Sequence, residues 1–153
     1  MTSDIVISDM PANSKFAHIG AQWAFDDWKE TDPNDDIHWY LNVYSESAMD
    51  PLSLPISLAA ITTNDELAGV ACVVNDDELP DAQEPGPWVA AVFVNPEYRG
   101  RAVGKQLVTE AVRRAASWDI PMCTCTHEML RTGTKHLVGN ACEKRTFIRN
   151  PSP

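Results

Sequence analysis

Residues 99–105, Arg99-Gly100-Arg101-Ala102-Val103-Gly104-Lys105, hold three of the chain's 12 Lys and Arg and two of its 7 glycines. The 153-residue chain around them is acidic, with a formal net charge of −10. Positive charge concentrated against that balance, in a turn rich in glycine, has a specific chemical use. Backbone N–H groups in such a turn can converge on an anion, and a helix starting there adds partial positive charge. Gly100 and Gly104 permit close approach and uncommon dihedrals. The chemistry is that of a pyrophosphate cradle. The other reading of the same residues is an ordinary strand-to-helix turn with solvated arginines, and the spacing alone does not choose between them. Two phosphate motifs are excluded by spacing. A Walker loop needs four residues between its glycines and Ser or Thr after the lysine, whereas Gly100 and Gly104 bracket three and Gln106 follows Lys105. A Rossmann fingerprint needs a third glycine and a preceding strand–helix–strand unit, and neither is present.

The elements that must position this turn are legible on both sides. Trp88-Val89-Ala90-Ala91-Val92-Phe93-Val94 is apolar without alternation, as a strand buried on both faces requires. Asn95-Pro96 ends it. From Ala102 a helix begins, with Val103, Leu107, Val108, Ala111, Val112, Ala115 and Ala116 on one stripe. Upstream, residues 4–8 read as a β-branched strand, residues 10–13 as a stop and cap, and residues 14–28 as a helix with Phe16, Ile19, Trp23 and Phe25 on its stripe. Asp35 closes the next loop as a cap signal. Ile37, Tyr40, Leu41 and Tyr44 then give a second helix to about Ser47. Residues 57–62 and 67–74 form a hairpin, and Gly69 within it calls for a bulge or a close backbone neighbour. Residues 75–87 form a surface loop carrying Asp76, Asp77, Glu78, Asp81 and Glu84. After Pro121 a short strand, a broken helix over 128–138 and a last strand over 141–148 complete a single domain spanning 1–153.

Composition excludes several classes. No apolar run approaches the roughly 20 residues of a membrane helix. The acidity disfavours a general nucleic-acid binder, because nothing neutralises phosphates over a wide face. It fits cationic substrates or a saline habitat equally well. Met1 to Asp9 carries no basic residue and no export signal, so a cytoplasmic location and free thiols at Cys72, Cys123, Cys125 and Cys142 are expected. Cys123 and Cys125 lack the two-residue spacer of a zinc site, and no metal is expected.

Residues 96–107, Pro96-Glu97-Tyr98-Arg99-Gly100-Arg101-Ala102-Val103-Gly104-Lys105-Gln106-Leu107, resemble the acyl-CoA signature of the GNAT N-acetyltransferase superfamily, (Q/R)-x-x-G-x-(G/A). Arg99 takes the first position and Gly104 the last. Ala102 replaces the middle glycine, and it can present its N–H there if its φ is negative. The order of elements is also similar to that family. The resemblance implies an α+β (mixed α/β) fold: a mostly antiparallel, splayed central sheet of about six or seven strands flanked by helices. It implies acetyl-CoA as cosubstrate, with the diphosphate on Arg99, Gly100, Arg101, Ala102, Val103, Gly104 and Lys105, and the pantetheine arm paired with Val92, Phe93 and Val94. A backbone N–H of that strand would polarise the thioester carbonyl.

The implied reaction is direct transfer of acetyl to a small amine or protein amine within a ternary complex. Such an amine must lose a proton before attack, which calls for a carboxylate or a water chain. Glu84 and Glu128 are candidates by type, beside Asp77, Glu78 and Asp81. The family's tyrosine acid precedes a Leu-Gly-aromatic element. Its counterpart here is Leu137-Val138-Gly139-Asn140, with Lys135 near the tyrosine position and no tyrosine after Tyr98. Thr126, His127, Cys125 or His136 could replace it by type. The departure keeps open a second function, a catalytically weak acyl-CoA-binding or sensing module. A third, action on charged tRNA, conflicts with the net charge. Helices of this family cover the acceptor, so Asp26, Asp27, Trp28 and Tyr40 are candidates for an acceptor pocket that favours cations. The resemblance also leaves room for a homodimer.

Overall fold

Alternation in the strands sends side chains to two opposite faces, and both faces here are apolar, so both must be covered. A computed structural model describes residues 4–29, 36–50, 53–75, 87–117, 122–125 and 147–149. The strands are β1 (Ile5–Asp9), β2 (Ile56–Thr62), β3 (Leu67–Val74), β4 (Trp88–Val94), β5 (Met122–Cys125) and β6 (Phe147–Arg149). They form one sheet in chain order, antiparallel at every junction except the parallel β4–β5 pair. Helices α1 (Lys15–Trp28) and α2 (Ile37–Met49) cover one face, against Ala59, Val70, Cys72 and Trp88. Helix α3 (Val103–Ser117) covers the other, against Leu58, Ala60, Val73, Val89 and Val92. The expected α+β sheet flanked by helices is therefore present.

Local details differ from the sequence reading. Ser14 is the N-cap of α1, its hydroxyl accepting from the Ala17 amide at 3.2 Å. Asp36 rather than Asp35 caps α2, accepting from the His38 amide at 2.9 Å. Ile19 is 39 % exposed, and the buried face of α1 is built from Phe16, Ala17, Ala21 and Ala24. Small residues win that face because α1 lies close to the sheet: a Cβ at Gly20 would sit 2.9 Å from Val70 Cγ1. A 3₁₀ turn, Pro96–Tyr98, follows β4 where the sequence shows only a break. The acidic stretch 76–86, the expected helix over 128–138, and residues 141–146 of the expected last strand lie outside the described residues.

Gly69 resolves both ways. The β2–β3 register shifts between Ala60 and Ile61, leaving Ala68 as the extra residue of a bulge. A Cβ on Gly69 would also lie 2.9 Å from Leu107 Cδ1, 2.9 Å from the Phe93 carbonyl oxygen and 3.2 Å from Val103 Cγ1. The missing side chain lets the first turns of α3 seat directly on β3. That contact sets the height of the α3 N-terminus above the end of β4.

Candidate functional site

Strand β4 begins inside the sheet and ends at an opening. Trp88 and Val89 pair with Thr124 and Cys125 of β5. Among the described residues, Ala90 to Val94 have no strand partner on that side. The extended residues Val92 to Val94 offer roughly 10 Å of backbone edge on that side. Here β4 also bulges against β3: Val70 faces Phe93 and Cys72 faces Ala90, so Ala91 and Val92 together oppose Ala71. Ala91 adopts φ +53°, in the left-handed region. Such bulges bend a strand and re-aim its backbone groups, often beside a site. Val92 is buried, whereas Phe93 and Val94 are partly exposed.

The chain leaves β4 through a closely bonded corner. The Asn95 amide donates to the Ala68 carbonyl at 2.9 Å, and the Asn95 side chain accepts from the Glu97 amide at 3.1 Å. The Tyr98 amide returns to the Asn95 carbonyl at 2.8 Å. Tyr98 is buried, and its hydroxyl donates to Glu66 Oε2 on the turn between β2 and β3. The carboxylate accepting its proton holds the Tyr98 phenol above its ordinary range, with burial acting in the same direction.

Four exposed residues then form the turn: Arg99, Gly100, Arg101 and Ala102. Gly100 has φ +79°, and no atom lies within 4 Å of where a Cβ would stand, so glycine serves the dihedral and not the space. Ala102 has φ +60°. This corrects the expectation of a negative φ there. The turn keeps a glycine-like backbone although the residue is alanine. Arg99 folds back, its Nε donating to the Val94 carbonyl at 3.1 Å and its guanidinium lying 5.5 Å from the Phe93 ring centre. Arg101 lies 5.3 Å over the Tyr98 ring.

Helix α3 starts at Val103, and the Gln106 amide donating to the Ala102 carbonyl at 3.0 Å is among its first bonds. The amides of Val103, Gly104 and Lys105 belong to the first turn, which has no intrahelical acceptors for them. Lys105 is exposed beside them. Gly104 is buried on the face shared by Val103, Leu107 and Val108. An exposed cationic turn with two left-handed residues thus opens onto the end of β4, whose side away from β3 has no strand partner among the described residues. That arrangement can receive an anion at the turn and an extended polar arm along the strand.

The structure brings together Val92, Phe93, Val94 and all seven turn residues. Candidates Glu84, Glu128 and His127 lie outside the described residues, as do Asp77, Glu78, Asp81, Thr126 and the side chain of Trp28. Tyr40 is 6 % exposed and packs within the core beneath α1 and α2. Asp26 is held by Gln22 and Lys29 of its own helix at 3.0 and 3.2 Å. Trp23 instead reaches the open strand end, its ring centre 5.4 Å from that of Phe93. Sequence reasoning missed Glu66 and Asn95. Asn before Pro at a strand end is a readable cap signal, whereas nothing local marks Glu66. Among the described residues, no group of three or more His, Cys, Asp or Glu side chains could hold a metal ion, and no helix is long and apolar enough to cross a membrane.

Residues 15–137 match the model of the acetyltransferase (GNAT) family. No curated protein matches the chain in sequence. Among solved structures, it is similar to the aminoglycoside N-acetyltransferase AAC(6')-Iy in complex with CoA, at 18 % identity and TM-score 0.64, covering 99 % of this chain and 98 % of that one. The same enzyme bound to the bisubstrate analogue CoA-S-monomethyl-acetylneamine aligns at 17 % identity and TM-score 0.64, over 98 % and 100 % of the two chains. An acetyltransferase of the GNAT family from Staphylococcus aureus Mu50 aligns at 12 % identity and TM-score 0.58, over 86 % and 78 %. Identities this low establish a common fold.

Proposed function

The chain belongs to the acetyltransferase (GNAT) family, and from that premise we propose that it moves acetyl from acetyl-CoA to the primary amine of a small, cationic acceptor. The observation that carries this reading is the exposed turn of Arg99, Gly100, Arg101 and Ala102, set between the partly exposed end of β4 and the first amides of α3. Its amides and the charges of Arg101 and Lys105 suit the diphosphate of coenzyme A. The edge of Val92, Phe93 and Val94 that faces away from β3, without a strand partner among the described residues, suits the amides of the pantetheine arm, which would add to β4 as a further strand.

In that pose the thioester carbonyl lies at the β4 bulge. A β4 amide supplies a hydrogen bond that strengthens as the carbonyl oxygen takes on negative charge. The neutral amine attacks the carbonyl carbon, the tetrahedral intermediate expels the CoA thiolate, and the nitrogen loses its extra proton to a base. Glu84 and Glu128 are the carboxylates proposed for that base, and His127 for returning a proton to sulfur. A cationic acceptor is supported by the net charge of −10 and by the aminoglycoside acetyltransferases among the structural neighbours. The absence of any tyrosine after Tyr98 supports a second reading, an acyl-CoA-binding module with little turnover.

One pair of measurements separates them. Calorimetry with CoA tests the turn, and thiol release from acetyl-CoA across a panel of amines, including an aminoglycoside, tests transfer. Binding with amine-dependent thiol release is the expected result. Binding without release for every amine favours the binding module. No binding at millimolar CoA would refute both.

A further inference from the structure

We propose that Glu66, 32 residues before Tyr98 in sequence, is a positioning residue for the coenzyme turn and acts through the Tyr98 hydroxyl. The proposal rests on the acetyl-CoA reading for its purpose, though not for its geometry. The turn from Arg99 to Ala102 is exposed at all four residues and is flanked by two buried ones, Tyr98 and Val103. Val103 is held by α3. Tyr98 is held by Glu66. Between them, the Arg99 side chain ties back to the Val94 carbonyl, the Ala102 carbonyl accepts from the Gln106 amide of α3, and Arg101 lies over the Tyr98 ring itself. The Tyr98 anchor therefore fixes where the turn amides start.

Glu66 is well placed for this. Its amide donates to Thr62 Oγ1 at 3.2 Å, and its carbonyl accepts from the Thr62 amide at 2.9 Å. Both of its backbone groups are thus bound to a residue of β2 that is 4 % exposed, so the carboxylate is presented from a fixed base. The two turns are joined a second time, because Asn95 Nδ2 donates to the Leu67 carbonyl at 3.4 Å. On the other side of the phenol, the Arg101 guanidinium lies over the ring. One buried side chain thus connects a carboxylate on the β2–β3 turn to a cation on the ligand turn.

Position and charge predict opposite outcomes, which makes the idea testable. A carboxylate near an anion site, acting only by its charge, weakens anion binding, and its removal would tighten it. A carboxylate acting by holding Tyr98 strengthens binding, and an uncharged acceptor in its place suffices. The test compares Glu66→Ala, Glu66→Gln and Tyr98→Phe in the full chain, by calorimetry with CoA and by hydrogen exchange of the 99–105 amides in the free protein. Glu66→Ala and Tyr98→Phe are each expected to raise the CoA Kd about 5- to 20-fold, the scale of one lost hydrogen bond to a charged group at a part-buried site. Both should speed exchange across 99–105, and the double variant should be no worse than the weaker-binding single one. Glu66→Gln should stay within about two-fold of the parent, because its amide oxygen still accepts from the phenol. Glu66→Ala that binds CoA as tightly as the parent or tighter, with unchanged exchange, overturns the proposal. If the parent itself binds no CoA, the acetyl-CoA reading fails, and the exchange measurement still decides whether Glu66 orders the turn.

Discussion

Ala102 sits at φ +60° in an exposed turn, and replacing it with glycine should stabilise the fold. An L-residue in the left-handed region carries roughly 1–2 kcal/mol of strain from Cβ against the following carbonyl, which glycine does not carry. Glycine offsets part of that gain, because its unfolded chain is freer by about 0.4–1 kcal/mol. No buried methyl is lost at an exposed position, so Ala102→Gly should gain about 0.5–1 kcal/mol, or roughly 1–4 °C in Tm for a domain of this size. Ala102→Val is the control of opposite sign. A β-branched side chain at positive φ is a true outlier, and about 2 kcal/mol should be lost. Ala91 supplies an internal comparison. Its φ is +53°, but it is 9 % exposed within the β4 bulge. There the deleted methyl costs about 0.8 kcal/mol in burial, and Ala91→Gly should come out near neutral. Urea and thermal unfolding of the three variants read the differences directly. A loss of stability in Ala102→Gly comparable to that in Ala102→Val would mean the residue is not left-handed, and the turn geometry used above would be wrong.

Arg101→Ala should raise the CoA Kd about 5- to 30-fold, an effect that shrinks with added salt because the site is exposed; calorimetry at two ionic strengths checks it. Gly69→Ala should destabilise by about 1–3 kcal/mol in urea unfolding and weaken CoA binding too, since its Cβ would press on the Phe93 carbonyl and on Val103 and Leu107 of α3. Glu110 is held near a pKa of about 2, against an ordinary 4.5, first by its hydrogen bond from Arg113 and also by Arg114. A lowered folded pKa gives stability that is present above about pH 4.5 and is lost as pH falls toward 2. Glu110→Gln should therefore cost about 1 kcal/mol at neutral pH, after allowing for solvent screening, with no difference from the parent near pH 2 in acid-unfolding curves.

Features of the site that depend on neighbours in sequence were legible, and those that depend on a distant partner were not. The apolar run Trp88–Val94 announces a central strand because both its faces are covered, and the stripe from Val103 to Ala115 announces a helix packed on it. Strand, cationic glycine turn and helix follow one another within 30 residues, so their adjacency needs no tertiary knowledge. The φ of Ala102 was misread because alanine says nothing of backbone hand. Only the helix that must start at Val103, after a chain turning at Gly100, imposes it. Ile19 was misread for a related reason. Spacing marks a stripe, but the close seat of Gly20 on Val70 decides that small residues face the sheet. Glu66 lies in a polar turn, Thr63-Asn64-Asp65-Glu66, where a carboxylate is ordinarily solvated. Its bond to Tyr98 exists because the antiparallel pairing of β3 with β4, Gly69 opposite Val94, brings the β2–β3 turn to the end of the sheet from which the chain leaves for α3. Gly69 underlies both the seat of α3 and the start of β3 next to Glu66, which is why a change there should disturb both together, whereas a change at Arg101 removes only its own charge.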